Sequence, residues 1–287
     1  MQERTIGNVS VSAIGLGAMP MSIEGRPDRE QSVATIHAAL DAGITLIDTA
    51  DAYSLGGPEV GHNEELIAEA LKSYGGDVSN VLVATKGGHL RPADGTWTIN
   101  GDPAYLVEAA HASAKRLGVD AIGLYQHHRP DPNVPYAESM GALKKLLDEG
   151  TIRMAGISNA SIEQIDIARG ILGDSLVSVQ NQFSPKHLST QDTLDYCDQL
   201  GLAFLPWSPL GGIGRGADLA RFDKVAEIAH ERGVSAQQVV LAWELSLAPV
   251  VIPIPGASRP ASIQDDALAA DLQLTQAELV RISNSLA

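Results

Sequence analysis

The chain of 287 residues contains one cysteine, Cys197. A single thiol excludes an internal disulfide framework and a cysteine-rich metal site, and it fits a reducing compartment. Cys197 sits among Leu194, Tyr196 and Leu200, where a buried structural thiol is expected. Basic residues are also scarce, with 20 Lys and Arg against 35 Asp and Glu and a formal charge of −15. A field of that sign disfavours nucleic acid and anionic membrane as partners, although an anionic cofactor needs only local positive charge. Long apolar runs are missing too: nothing approaches the roughly 20 residues of a membrane span. Met1 to Ser12 carries charges and a turn in place of a signal-peptide core. The expectation from these absences is a cytoplasmic protein.

Hydrophobic residues make up 44% of the chain, enough for a large folded core. Thr5 to Val11 reads as two short strands around a Gly7-Asn8 turn, a hairpin ahead of the main fold. Strand-length apolar runs follow at 13–16, 44–47, 81–85, 122–126, 153–157, 176–180, 203–206 and 250–254. Between them apolar residues recur at helical spacing, as in Val33-Ile36-His37-Leu40 and Met140-Leu143-Leu146-Leu147. Gly43, Gly118, Gly150 and Gly201 stand where helices stop ahead of the next strand. Eight β-α units in this length predict an α/β fold, a (β/α)8 TIM barrel with an N-terminal β-hairpin, occupying residues 1–287 as a single domain. The longest breaks, 86–102 and 206–221, are candidate walls of a pocket.

Four polar residues stand at or just past strand ends: Asp48, Tyr53, Lys86 and His128. Neighbouring barrel strands end side by side, so an acid, a phenol, a cation and an imidazole can share one mouth. Together they suit carbonyl reduction, in which hydride arriving at carbon leaves an alkoxide that needs a proton donor and hydrogen-bonding support. A phenol with a pKa of about 10 is a reluctant acid at neutral pH. A nearby ammonium favours its release of a proton, desolvation opposes it, and a carboxylate keeps the ammonium charged and aimed. His127-His128 before Arg129-Pro130 has no third ligand at a diagnostic spacing, so no metal is expected.

The chain resembles the aldo-keto reductases over essentially its whole length. The resemblance rests on Gly15-Leu16-Gly17, Asp48-Thr49-Ala50-Asp51-Ala52-Tyr53, Ala84-Thr85-Lys86, Leu124 to Asp131, Gly156-Ile157-Ser158-Asn159, Gln180-Asn181-Gln182, Trp207-Ser208-Pro209-Leu210-Gly211 and Ile252 to Gly256, in family order. It implies NADPH-linked reduction of aldehydes and ketones, or oxidation of the matching alcohols or sugars, without metal or flavin. Tyr53 would be the acid, Lys86 and Asp48 its support, and His128 the substrate-orienting group. His127 replaces a usual aliphatic residue and is read as packing or rim.

The same resemblance assigns Ser158, Asn159 and Gln180 to the nicotinamide carboxamide and Trp207 to stacking on its ring, followed by Ser208 and Leu210. Gly211 and Gly212 would offer backbone N–H groups to the pyrophosphate, with Arg215 as a nearby cation. Gly256, Ser258 and Arg259 stand where the family holds the adenosine 2′-phosphate, which favours NADP(H) over NAD(H). Ser262 replaces a frequent arginine, and Asp265-Asp266 replace a Glu-Asn pair. Asp265 can accept from the adenine amino group, Asp266 cannot donate as Asn does, and two acids there weaken a phosphate site.

The expected partner is a small carbonyl or alcohol substrate, and its identity depends on loop side chains such as His89, Trp97, Tyr136 and Phe183. Trp97 is the candidate pocket wall, with a rim aromatic that packs its own loop as the alternative. Two other readings compete: a non-catalytic cofactor-binding regulatory subunit, and a Schiff-base aldolase that uses Lys86. The aldolase wants a lysine without a paired carboxylate.

Overall fold

A computed structural model describes residues 1–212, 219 and 222–286. Strands β1 (Glu3–Ile6) and β2 (Val9–Ser12) pair antiparallel, Ile6 opposite Val9, around the predicted Gly7-Asn8 turn. Seven parallel strands follow in one curled sheet: β3 (Leu16–Gly17), β4 (Leu46–Asp48), β5 (Leu82–Gly87), β8 (Ile122–His127), β9 (Ile152–Ser158), β10 (Leu176–Gln180) and β11 (Ala203–Phe204).

The eighth expected strand, 250–254, closes the barrel through isolated bridges in place of a full ladder. Phe204 N–H donates to Val250 O at 2.8 Å, and Ile252 N–H donates back to Phe204 O at 2.9 Å. On its other side Gly15 and Gly17 N–H donate to Pro253 O and Pro255 O at 2.9 and 2.8 Å. Prolines at 253 and 255 have no N–H to return, so the return bond on this seam is left to Ala257 N–H, which donates to Gly17 O at 3.4 Å. Gly17 and Gly256 bridge there, and a Cβ on Gly17 would lie 2.8 Å from Ile254 O, so the close approach of the two backbones requires glycine. The first and seventh strands are correspondingly shorter than their apolar runs.

Helices α1 (Arg29–Asp41), α2 (His62–Ser73), α3 (Pro103–Leu117), α4 (Tyr136–Asp148), α5 (Ile162–Leu172), α6 (Gln191–Leu200), α8 (Ala236–Leu247) and α9 (Pro260–Leu268) surround the sheet. Their starts carry the local chemistry expected of caps. Asp28 accepts from Gln31 N–H, Asp102 from Tyr105 N–H ahead of Pro103, and Ser161 with Gln164 forms a capping box. Helix α3 stops on Gly118 at φ 69°, left-handed backbone that glycine adopts without strain.

Two further helices, α7 (Asp223–Arg232) and α10 (Gln276–Leu286), pack against each other outside this succession. Arg232 grips Glu278 with two bonds of 2.7 Å, and Arg281 reaches Glu227 and Glu231. None of the helices among the described residues is long and apolar enough to cross a membrane.

Strand side chains alternate between two cores. Leu46, Leu82, Ala84, Leu124, Met154 and Ile252 fill the barrel interior together with Ile6 and Val11, so the N-terminal hairpin plugs one end. Tyr125, Ala155, Ile157, Val179 and Phe204 point outward to the helices. Continuing the inward series to the opposite end replaces apolar residues with polar ones: Asp48, Lys86, Gln126 and Gln180. Apolar packing thus ends where the strands end, and a buried polar layer begins.

Candidate active site

Lys86, the last inward residue of β5, is fully buried and lies among oxygens. Its Nζ donates to Asp48 Oδ1 at 2.5 Å, to the Thr49 carbonyl at 2.8 Å and to the Tyr53 hydroxyl at 3.1 Å. A buried ammonium is tolerable when its three donors are all used, as these are. Asp48 is itself held from behind, with Gln180 Nε2 donating to its Oδ2 at 2.7 Å and Gln126 Nε2 at 3.3 Å. The His128 ring meets the Tyr53 ring edge-on, 5.7 Å between centroids. The structure therefore brings all four predicted strand-end residues to one mouth.

Burial tends to strip the Lys86 proton, but Asp48 and Tyr53 outweigh it and raise its pKa. For Tyr53 burial is the larger influence: its pKa is raised, although the Lys86 charge pulls it down. Tyr53 thus stands protonated beside a charged lysine. His128 is pushed well below its ordinary pKa by burial, then by Lys86 and its other cationic neighbours. It is a neutral imidazole, and its buried Nδ1 has no partner among the described residues.

His127 is on the other face of β8, as the two-residue period requires. It is buried beneath α4 with the Tyr136 ring 5.5 Å away, and burial holds its pKa down to about 4. Of the two readings made for it, packing is the one its position matches.

The loop after β5 forms a small hairpin, β6 (His89–Leu90) with β7 (Thr98–Ile99). Trp97 stacks on the His89 ring at 4.6 Å and has the Arg91 guanidinium over its ring, also at 4.6 Å. Arg91 is fixed in turn by the Ser54 carbonyl at 2.6 Å and by Glu24. His89 lies 4.9 Å from the His128 ring, and burial with Arg129 and Lys86 lowers its pKa to about 4. Trp97, 40% exposed, braces His89 at the mouth.

An open cleft of about 420 Å³ adjoins the site, lined by Arg129, Asn159, Ser161, Gln182, His187 and Trp207 among others. Trp207 is half-buried, with its Nε1 donating to Asn159 Oδ1 at 3.2 Å. Asn159 and Ser208, at φ 56° and 55°, are the only non-glycine residues among those described with left-handed backbone, and such strain collects at functional sites. Ser158 and Gln180 are buried beneath, the Ser158 hydroxyl donating to Gln180 O at 2.8 Å.

Leu210, Gly211 and Gly212 are half-buried on the loop beyond Trp207, and Arg215 lies outside the described residues. Ser258 is half-buried and Arg259 exposed at the N-terminus of α9, where helix dipole and guanidinium both favour an anion; Gly256 lies just before them. An indole face held by a hydrogen bond, a glycine turn and a cationic helix start together fit a nicotinamide dinucleotide. Asp265 is engaged elsewhere, accepting from Ser235 Oγ at 2.6 Å and Gln238 Nε2 at 2.5 Å. Asp266 is buried, and its pKa is raised to about 7 by burial and by Asp265.

Gln126 and the Thr49 carbonyl were not anticipated. Gln126 was findable, because it sits two residues before His128 on a strand and so must face the same way.

The aldo/keto reductase family model matches residues 13–287. An uncharacterised oxidoreductase of Schizosaccharomyces pombe is 36% identical over 94% of this chain and 85% of its own length. Among solved structures, an aldo/keto reductase from Klebsiella pneumoniae in complex with NADP and acetate is 28% identical with a TM-score of 0.83, covering 98% of this chain and 94% of its own. The glycerol dehydrogenase of Gluconobacter oxydans is 29% identical with a TM-score of 0.83, covering 99% of this chain and 94% of its own. The chain belongs to the aldo/keto reductase family.

Proposed function

We propose that the protein is an NADP(H)-dependent oxidoreductase that reduces aldehydes and ketones, or oxidises the matching alcohols, with Tyr53 as general acid. The observation that carries this reading is the Lys86 ammonium, bonded at once to Asp48 and to the Tyr53 hydroxyl. The nicotinamide, when bound, supplies the hydride. Tyr53 holds the proton that the developing alkoxide needs. Its raised pKa keeps that proton in place at neutral pH, while Lys86 lowers the cost of giving it up. As a neutral imidazole, His128 can donate a hydrogen bond to the same oxygen without competing as an acid. Asp48 fixes Lys86, and Gln180 and Gln126 fix Asp48.

The cofactor preference is supported by the exposed Arg259 at the start of α9 and by the NADP-bound relative. Ser158, Asn159, Gln180 and Trp207 would hold the nicotinamide end, and Gly211 and Gly212 the phosphates. A regulatory role without chemistry is disfavoured by the complete tetrad. We infer a reducing cytoplasm as the compartment, a reading supported by the single, free Cys197, which leaves the chain without an internal disulfide. Titration with NADPH and with NADH, followed by a panel of carbonyls and alcohols read by nicotinamide absorbance, tests the reading. Tighter NADPH binding with turnover of some panel member is expected; turnover of none, with cofactor bound, removes the enzymatic assignment.

A further inference from the structure

Arg129 differs from the arginines that this fold holds in ion pairs. Arg26, Arg91, Arg116 and Arg232 each pair with a glutamate, as the excess of acids in this chain makes easy. Arg129 makes no ion pair or guanidinium hydrogen bond among the described residues, and its Nε is buried with no partner. Leaving a partly buried guanidinium unsatisfied is costly, so an unpaired one in a cleft marks a place where a ligand completes the site.

Its position says which ligand. Arg129 follows His128 directly at the end of β8, and its charge is felt by Tyr53, His89 and His128. It lines the cleft that continues past Asn159 and Trp207, whose other walls offer Ser161, Gln182 and His187. The two histidines beside it, His128 and His89, are neutral, and Arg129 is the one lysine or arginine among the cleft's described lining residues. A planar fork of donors matches two oxygens of a carboxylate or phosphate.

We propose that Arg129 anchors an anionic group on the substrate, so that the preferred substrates are carbonyl compounds carrying a carboxylate or phosphate a few atoms from the reacting carbon. This rests on the reductase reading above and names the substrate class of the same site. Arg129 acts on specificity and orientation, whereas the proton transfer belongs to Tyr53.

The test compares matched pairs with NADPH: succinic semialdehyde against butanal for a carboxylate, and glyceraldehyde 3-phosphate against glyceraldehyde for a phosphate. The wild-type protein is expected to favour at least one anion at least tenfold in kcat/KM. In Arg129→Gln that charged-to-neutral ratio should fall tenfold or more, mainly through KM, and Arg129→Lys should restore part of it. A ratio that moves less than twofold overturns the proposal. So does a tenfold loss of NADPH affinity in Arg129→Gln, which would assign the guanidinium to the dinucleotide. Calorimetric titration with succinate and with inorganic phosphate reads the anchor without chemistry: loss of binding in the variant supports it, and equal binding overturns it. Absence of turnover across every carbonyl would strike the reductase reading, and the titration would still decide Arg129.

Discussion

Replacing Asp48 by Asn removes one charge from the most buried ion pair among the described residues and leaves its shape almost unchanged. At 2.5 Å and an effective dielectric of about 20, the lost Coulomb attraction to Lys86 is about 7 kcal/mol. Asn keeps an oxygen for the ammonium, and the desolvation already suffered by the carboxylate is relieved, so the net cost is smaller. Breaking a buried pair by removing one partner costs about 3–5 kcal/mol. With an unfolding entropy of about 2.1 cal/mol/K per residue, that loss corresponds to a fall in Tm of about 5–8 °C at pH 7 for a chain of 287 residues.

The pH dependence carries the mechanism. Wild-type Lys86 has a folded pKa above its ordinary value, so its contribution is complete at neutral pH and is lost only as pH rises through that raised value. In Asp48→Asn the ammonium keeps its burial and loses its counter-charge, so its folded pKa drops below the ordinary value. Stability of the variant then rises with pH between those two values. Thermal unfolding followed by circular dichroism from pH 6 to pH 9.5 should therefore show a gap between wild type and variant that narrows as pH rises. Turnover should fall about 100-fold or more, because Lys86 no longer stays charged beside Tyr53. A Tm deficit below 1 °C, or a gap that does not depend on pH, would refute the account of the pair.

Three other outcomes follow from buried groups outside the tetrad. Glu244 on α8 is completely buried, both its oxygens lack a partner among the described residues, and burial raises its pKa far above normal. A carboxyl with a raised folded pKa costs stability increasingly as pH rises above its unfolded value, so Glu244→Met should raise Tm by about 2–5 °C at pH 8 and by less at pH 5. Glu278 has its pKa lowered from 4.5 to about 2, first by Arg232, so its contribution is present above pH 4.5 and lost as pH falls toward 2. Glu278→Gln should be less stable at pH 7, and calorimetry should find the deficit shrinking below pH 4. Gly17→Ala would push a Cβ against Ile254 O and Pro255 O at 2.8 and 3.1 Å, opening the closing seam beside Asp48. A cost of about 1–3 kcal/mol is expected in chemical denaturation, together with reduced turnover.

The barrel and its tetrad were legible because the same period-2 alternation that packs the interior also fixes which strand-end residue faces inward. It puts His128 and His127 on opposite faces, a choice the sequence offers only through the family resemblance, whereas Asp48 and Lys86 stand out by their position at strand ends. Features set by distant partners were not legible. The eighth run looks like a strand, yet Pro253 and Pro255 take away the donors on one side. The segment after β11 carries two helices, split at Gly233, φ 66°, with Ser235 capping the second. Helix α10 does have a local signal, the Thr275 to Glu278 spacing of a capping box, with Glu278 N–H donating to Thr275 Oγ1 at 3.3 Å. Its docking on α7 depends on ion pairs between residues more than forty positions apart in sequence. Asp265 shows the same limit: nothing local indicates that Ser235 and Gln238 engage its carboxylate.

The central claim, that the phenol of Tyr53 gives the proton during carbonyl reduction, is tested most directly by Tyr53→Phe. NADPH affinity should stay close to wild type because the ring remains, while losing the hydroxyl bonded to Lys86 leaves one buried donor unsatisfied and should lower Tm by about 2–5 °C. Turnover of the best carbonyl found with the wild-type protein should fall by about 100-fold or more. Turnover within a factor of two of wild type, with cofactor binding intact, would contradict the account.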